Sequence, residues 1–113
     1  MIDSVTRNLE MYMDLLSDSQ KLTAANIANV DTPGYRTRTI NFEEEYELAR
    51  TTNDVHPRAV EVGSLEVKND GNDVSIDRES QMLAQNALKF RLASSLLKDR
   101  FSMIKQAIQG DKS

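Results

Sequence analysis

Cysteine is absent and histidine occurs once. Without cysteine there is no disulfide, no thiolate metal site and no thiol nucleophile, and either a reducing or an oxidising compartment stays open. The single histidine, His56, precedes Pro57 in a polar stretch. No His pair, His triad or His-rich metal site can be assembled from it, so it reads as an exposed loop residue. A glycine-rich phosphate loop is also missing. No apolar run approaches the roughly 20 residues a membrane span requires. The amino terminus, M-I-D-S-V-T-R-N-L-E-M-Y-M-D-L-L, lacks a basic region followed by an unbroken apolar one, so no cleavable secretory signal is expected. The chain would then be cytoplasmic, or leave by a route that reads something else.

Bases do not cluster either. The 14 lysines and arginines are dispersed through a chain of net charge −4, which repels phosphate and disfavours nucleic acid as a partner. The acids do cluster, at Glu43, Glu44, Glu45 and Glu47. Adjacent carboxylates point in different directions on either a helix or a strand, so a solvated acidic face, or one that meets a basic partner, is expected there rather than a cation site. No catalytic residue, metal, cofactor or small-molecule substrate is expected.

What is present is helical periodicity. At 113 residues and 39% hydrophobic positions the chain fits one domain at most. Ile2, Val5, Leu9, Tyr12 and Leu16 recur at steps of three and four, predicting a helix over residues 1–30. Pro33 ends it, and Thr32-Pro33-Gly34-Tyr35 suits a type II turn with glycine where φ must be positive. In the carboxy-terminal half, Leu83, Phe90, Leu97 and Ile104 fall every seven residues, and Ala87, Ser94, Phe101 and Ile108 interleave four positions later. This predicts a coiled-coil helix over 77–109, capped by Asp77 and stopped at Gly110, with a tail over 110–113. Leu88, Leu92 and Leu96 add a second ridge, wider than one partner helix covers.

Charge favours pairing of the two helices. Residues 1–30 carry four acids against two bases, whereas 78–113 carry seven bases against three acids. Between them, residues 31–76 read as a turn and extended arm. The stretch N-F-E-E-E-Y-E-L-A-R is either a short helix or extended, and A-V-E-V-G-S-L-E-V-K alternates around Gly63-Ser64 as a short β-hairpin. The expected fold is mainly α: antiparallel amino- and carboxy-terminal helices forming a coiled-coil pair, joined by that middle region, in one domain spanning 1–113.

The junction at the end of the first helix carries two asparagines. Asn29 suits a helix cap and Asn26 an exposed turn. Alternatively the small Ala24, Ala25 and Ala28 permit close packing, while Asn26 and Asn29, three apart on one side, offer donors and acceptors to another chain.

The run N-I-A-N-V-D-T-P-G-Y resembles the signature of the rod and hook proteins of the bacterial flagellum. With the short chain and the later G-N-D-V-S-I-D-R-E-S-Q-M-L-A-Q-N-A-L-K-F-R, the likeness is to short proximal-rod members and covers both terminal segments. Val30 stands where alanine is frequent, and Phe90-Arg91 where Tyr-Gln is usual. The resemblance implies a structural subunit, exported by the flagellar type III apparatus without a cleaved signal. It implies helical assembly with itself, other rod proteins and the basal-body adaptor FliE into a drive shaft crossing the periplasm. Asn26, Ala28, Asn29, Asp31, Thr32, Pro33, Gly34 and Tyr35 would form its subunit-packing motif. Ile2, Val5, Leu9, Tyr12, Leu16, Leu83, Phe90, Leu97, Phe101, Ile104 and Ile108 would form its seam. A cytoplasmic helical adaptor or export chaperone of a type III secretion system is the alternative, although such a protein has no use for a Pro-Gly handover.

Overall fold

The computed structural model describes residues 3–110. Its elements are α1 (Ser4–Ala28), β1 (Arg38–Ile40), α2 (Phe42–Thr52), β2 (Ala59–Glu61) and α3 (Ile76–Gly110). The molecule is elongated, 70 × 26 × 17 Å. The 35 residues of α3, at about 1.5 Å each, account for most of that length.

Each helix has a legible start. Asp3 caps α1, its Oδ1 accepting from the Thr6 amide at 2.8 Å. Asn41 caps α2, and Glu43, Glu44 and Glu45 in the first turn suit the positive end of the helix dipole. The acidic stretch is therefore a helix, closed by Asn53 in the left-handed region. At α3 the expected cap shifts. Ser75 Oγ accepts from the Arg78 amide at 3.3 Å, and Asp77 lies inside the first turn. Gly110 is the last residue of α3, and the rest of the expected tail lies outside the described residues.

Two boundaries also move. α1 stops at Ala28, before Pro33 can act, because Asn29 turns back and its Nδ2 donates to the Ala25 carbonyl at 2.8 Å. The hairpin expected around Gly63-Ser64 is not formed. Ala59–Glu61 instead pairs antiparallel with Arg38–Ile40, in the register Arg38↔Glu61, Thr39↔Val60, Ile40↔Ala59. An isolated hairpin is marginal in water, whereas β1 is tied to α1 and gives β2 an anchored edge.

α1 and α3 run antiparallel and make the main packing contact of the molecule. Asp3 meets Arg100, Ser19 meets Asn86 at 3.1 Å, Gln20 reaches the Leu83 carbonyl at 3.4 Å, and Asn26 meets Glu79 at 2.6 Å. The heptad period is present, but the row of α3 turned to α1 is Glu79, Asn86, Ala93 and Arg100, four positions before the apolar row. Small and polar side chains let the backbones approach while bonding across the gap. Of the expected seam, Leu16 is buried; Leu9, Tyr12, Leu83, Leu97 and Ile104 are half-buried; Val5, Phe90, Phe101 and Ile108 are exposed, as are Ala87 and Ser94. Ile2 lies outside the described residues. The opposite charges of the helices meet across the pair only at Asp3–Arg100 among the described residues.

The apolar core is small: Met11, Leu15, Leu16, Ala49, Val74 and Ala93. α2 closes one flank of α1 through an aromatic cluster, with Tyr12 edge-on to Phe42 at 5.0 Å and to Tyr46 at 5.7 Å.

Candidate functional site: a buried polar junction

Where α1 ends, the chain turns back on itself and is clasped by the segment leading into α3. Asn26 stands at the centre, 1% exposed. Its Nδ2 donates to the Arg38 carbonyl at 2.8 Å and to Glu79 Oε1 at 2.6 Å. Its Oδ1 accepts from the Tyr35 hydroxyl at 2.9 Å and from the Arg38 amide at 3.3 Å. A carboxamide has two donors and two acceptor positions, and all are used within this chain. The expectation that Asn26 offers itself to another chain is therefore corrected, and so is its placement in an exposed turn. Asn29 is occupied as well, capping α1 and accepting from Thr32 Oγ1 at 3.0 Å.

A second asparagine mirrors the first. Asn72, fully buried, donates to the carbonyls of Asn29 and Thr32 at 2.8 Å each, and its Oδ1 accepts from the Val74 amide at 2.8 Å. These bonds fix the loop of the T-P-G-Y turn. The turn is made as its composition dictates, with Tyr35 donating its amide to the Thr32 carbonyl at 3.2 Å and Gly34 at φ +76°. Gly71, at φ +85°, crosses against it so closely that a Cβ would come within 3.3 Å of Gly34 Cα. Gly34 donates to the Asp70 carbonyl at 2.9 Å, and Asp73 Oδ1 accepts from the Thr37 amide.

Glu79 completes the junction. Its carboxylate is fully buried, and Arg78 Nη1 donates to both oxygens at 3.0 and 3.2 Å. Burial pushes its pKa up, opposed by the Arg78 charge and the Asn26 hydrogen bond. Burial likewise raises Tyr35. Nothing here is arranged to react. No nucleophile stands beside a base, and among the described residues no three His, Cys, Asp or Glu side chains converge as metal ligands. The carboxamides of Asn26 and Asn72 close on their own chain, so the arrangement fixes shape.

Of the expected packing motif, Asn26 is buried, and Asn29 and Tyr35 are half-buried. Ala28, Asp31, Thr32, Pro33 and Gly34 are exposed and form the outer tip. Sequence reasoning missed Asn72, Asp73 and Glu79 as their partners. The signal was the run G-N-D-V-S-I-D-R-E itself, with polar residues and a turn glycine immediately before a strongly periodic helix. The acidic cluster is dispersed by α2: Glu45 turns inward to Arg58 Nε at 2.7 Å, which holds its carboxyl below the usual range, while Glu43, Glu44 and Glu47 face outward. His56 is exposed and meets Asp54 at 2.8 Å.

Residues 13–36, from the middle of α1 through the T-P-G-Y turn, match the family described as flagella basal body rod protein. Whole-chain relatives agree. The flagellar basal body rod protein FlgB of Salmonella typhimurium is 31% identical, over 96% of this chain and 96% of its own length. FlgB of Borrelia hermsii is 33% identical over 87% and 90%. FlgB of Bacillus subtilis is 26% identical over 94% of each. Near end-to-end similarity at this identity, with the best-defined motif lying in the clasped junction, makes the chain a member of the FlgB family of flagellar basal-body rod proteins.

Proposed function

We propose that this rod subunit completes its hydrophobic core only on assembly, in a helical array with further copies and other rod proteins. The observation that carries the reading is the division of α3. Its polar row is used within the chain, while Leu88, Leu92, Leu96, Phe101, Met103 and Ile108 are between 47% and 66% exposed. That much apolar surface along one helix marks an interaction face. A heterologous interface that does not close yields a filament. The exposed tip Ala28 and Asp31–Gly34, held rigid by the buried asparagines behind it, is the second contact element of the subunit-packing motif.

On this reading the chain is exported by the flagellar type III apparatus without a cleaved signal, and the small core keeps it easy to unfold for passage. It then joins the periplasm-crossing rod, where other proximal subunits and the adaptor FliE are its neighbours, and residues 1–113 act as one rod-subunit domain. Circular dichroism of the purified chain tests the mechanism. Helicity should be incomplete and melt broadly when dilute, and rise with concentration. Full helicity with a sharp, concentration-independent melt would overturn it. A cryo-EM map of basal bodies that places this chain outside the rod would overturn the assignment itself.

A further inference from the structure

The acidic face of α2 and the last turns of α3 are complementary surfaces that form no ion pair with each other within the described residues of one chain. Glu43 and Glu47 rim an open groove of about 610 Å³ whose floor is Tyr12, Phe42 and Tyr46. The floor already accepts cations: the Lys89 ammonium lies 5.7 Å from the centre of the Phe42 ring, and the Arg50 guanidinium 5.8 Å from that of Tyr46. Glu43 makes no ion pair among the described residues, and Glu44 feels only the charge of Arg58, whose guanidinium is bonded to Glu45. Glu47 has only the exposed Arg50, at 2.9 Å, a pairing readily exchanged.

Further along α3, Arg100 pairs with Asp3, the cap of α1, so residues 101–110 run on beyond the described start of α1. From Lys98 through this projecting end, α3 alternates charge and bulk along one side: Lys98, Phe101, Lys105 and Ile108 follow at steps of three and four. Both aromatic and aliphatic members are about half exposed, and neither lysine has a carboxylate partner among the described residues.

We propose that the projecting end of α3 from one copy docks in the acidic aromatic groove of α2 on a second copy, Lys98 and Lys105 meeting Glu43 and Glu47 while Phe101 lies against the ring cluster. The contact joins different surfaces on the two copies, so each added subunit presents a fresh groove. Charge sets partner choice and orientation here, and apolar burial supplies most of the affinity.

The proposal rests on the rod assignment above, and one experiment separates the two. In cells lacking their own copy of this subunit, the full chain is supplied as the parent sequence, as Glu43→Lys/Glu47→Lys, as Lys98→Glu/Lys105→Glu, or as both variants together. Each variant alone opposes like charges at every groove and should abolish motility. Co-expression restores opposite charges at every contact between unlike copies and should return at least about half of the motile cells. Circular dichroism melts of the purified variants should match the parent when all are dilute enough to be monomeric, which separates lost docking from lost folding. Failure of the parent chain to restore motility would overturn the rod assignment. Parent-like motility of either variant alone, or loss that co-expression does not relieve, would overturn this docking and leave another rod protein as the occupant of the groove.

Discussion

The two ends of α3 follow opposite rules. At its start, Glu79 is an ionisable group fully buried and bonded to Asn26 and Arg78. At its far end, Phe101, Met103 and Ile108 are apolar and about half or more exposed. A monomer built to stand alone would place these types the other way round. Bonded polar groups have one acceptable arrangement, and so they fix the fold inside the chain. Apolar surface is tolerant of its partner, which suits it to the contacts between chains proposed above.

The largest effect expected is from Asn26→Ala. It leaves the Glu79 carboxylate, the Tyr35 hydroxyl and the Arg38 backbone short of partners in a buried site, and should cost about 3–5 kcal/mol, read as a lowered thermal midpoint. Survival of the parent midpoint would erase the contrast between the ends. Gly71→Ala comes next, at about 1–2 kcal/mol, because both its positive φ and the close approach to Gly34 oppose a methyl group. Gly63→Ala, with open space around it, should change stability by under about 0.5 kcal/mol.

Acid and base response should differ between the same two ends. Asp3, at the far end, is lowered from 3.8 to about 2 by the Thr6 amide and by Arg100. A lowered carboxyl stabilises the fold above its ordinary value, and that contribution disappears as pH falls towards 2. Glu79 is raised, so its contribution is fully present below the ordinary carboxylate range and declines as pH rises through its folded value. Denaturant midpoints measured against pH should therefore lose their acid-side fall in Asp3→Asn and their decline on the alkaline side of the carboxylate range in Glu79→Gln. Smallest for the isolated chain is Leu92→Asp. At 62% exposure it should shift the monomer's stability by under about 0.5 kcal/mol while preventing incorporation into basal bodies.

Much of this was legible from sequence. Both long helices, their antiparallel pairing and the glycine turn follow from local periodicity and turn chemistry. The contact row was not, because counting apolar residues selects Leu83, Phe90, Leu97 and Ile104, whereas the row at the contact is carried by Glu79, Asn86 and Arg100. A polar residue at a heptad position reads as solvated until its partner, some 50 to 100 positions away, is brought opposite by folding. β2 was misassigned to a hairpin for a similar reason, since alternation identifies a strand without naming its neighbour. The clasp itself could be seen only as two motifs, whose meeting needs the three-dimensional turn at Gly34 and Gly71.

The cross-links between α1 and α3 differ from one another: carboxamide to carboxylate at Asn26, hydroxyl to carboxamide at Ser19, carboxylate to guanidinium at Asp3. A uniform leucine ladder can slip by one heptad at little cost, because each rung resembles the next. Here such a slip would set Asn26 against Asn86 and strand the Glu79 charge. The pair therefore behaves as a keyed joint, resisting creep under the sustained twisting load that a rotating shaft places on its components.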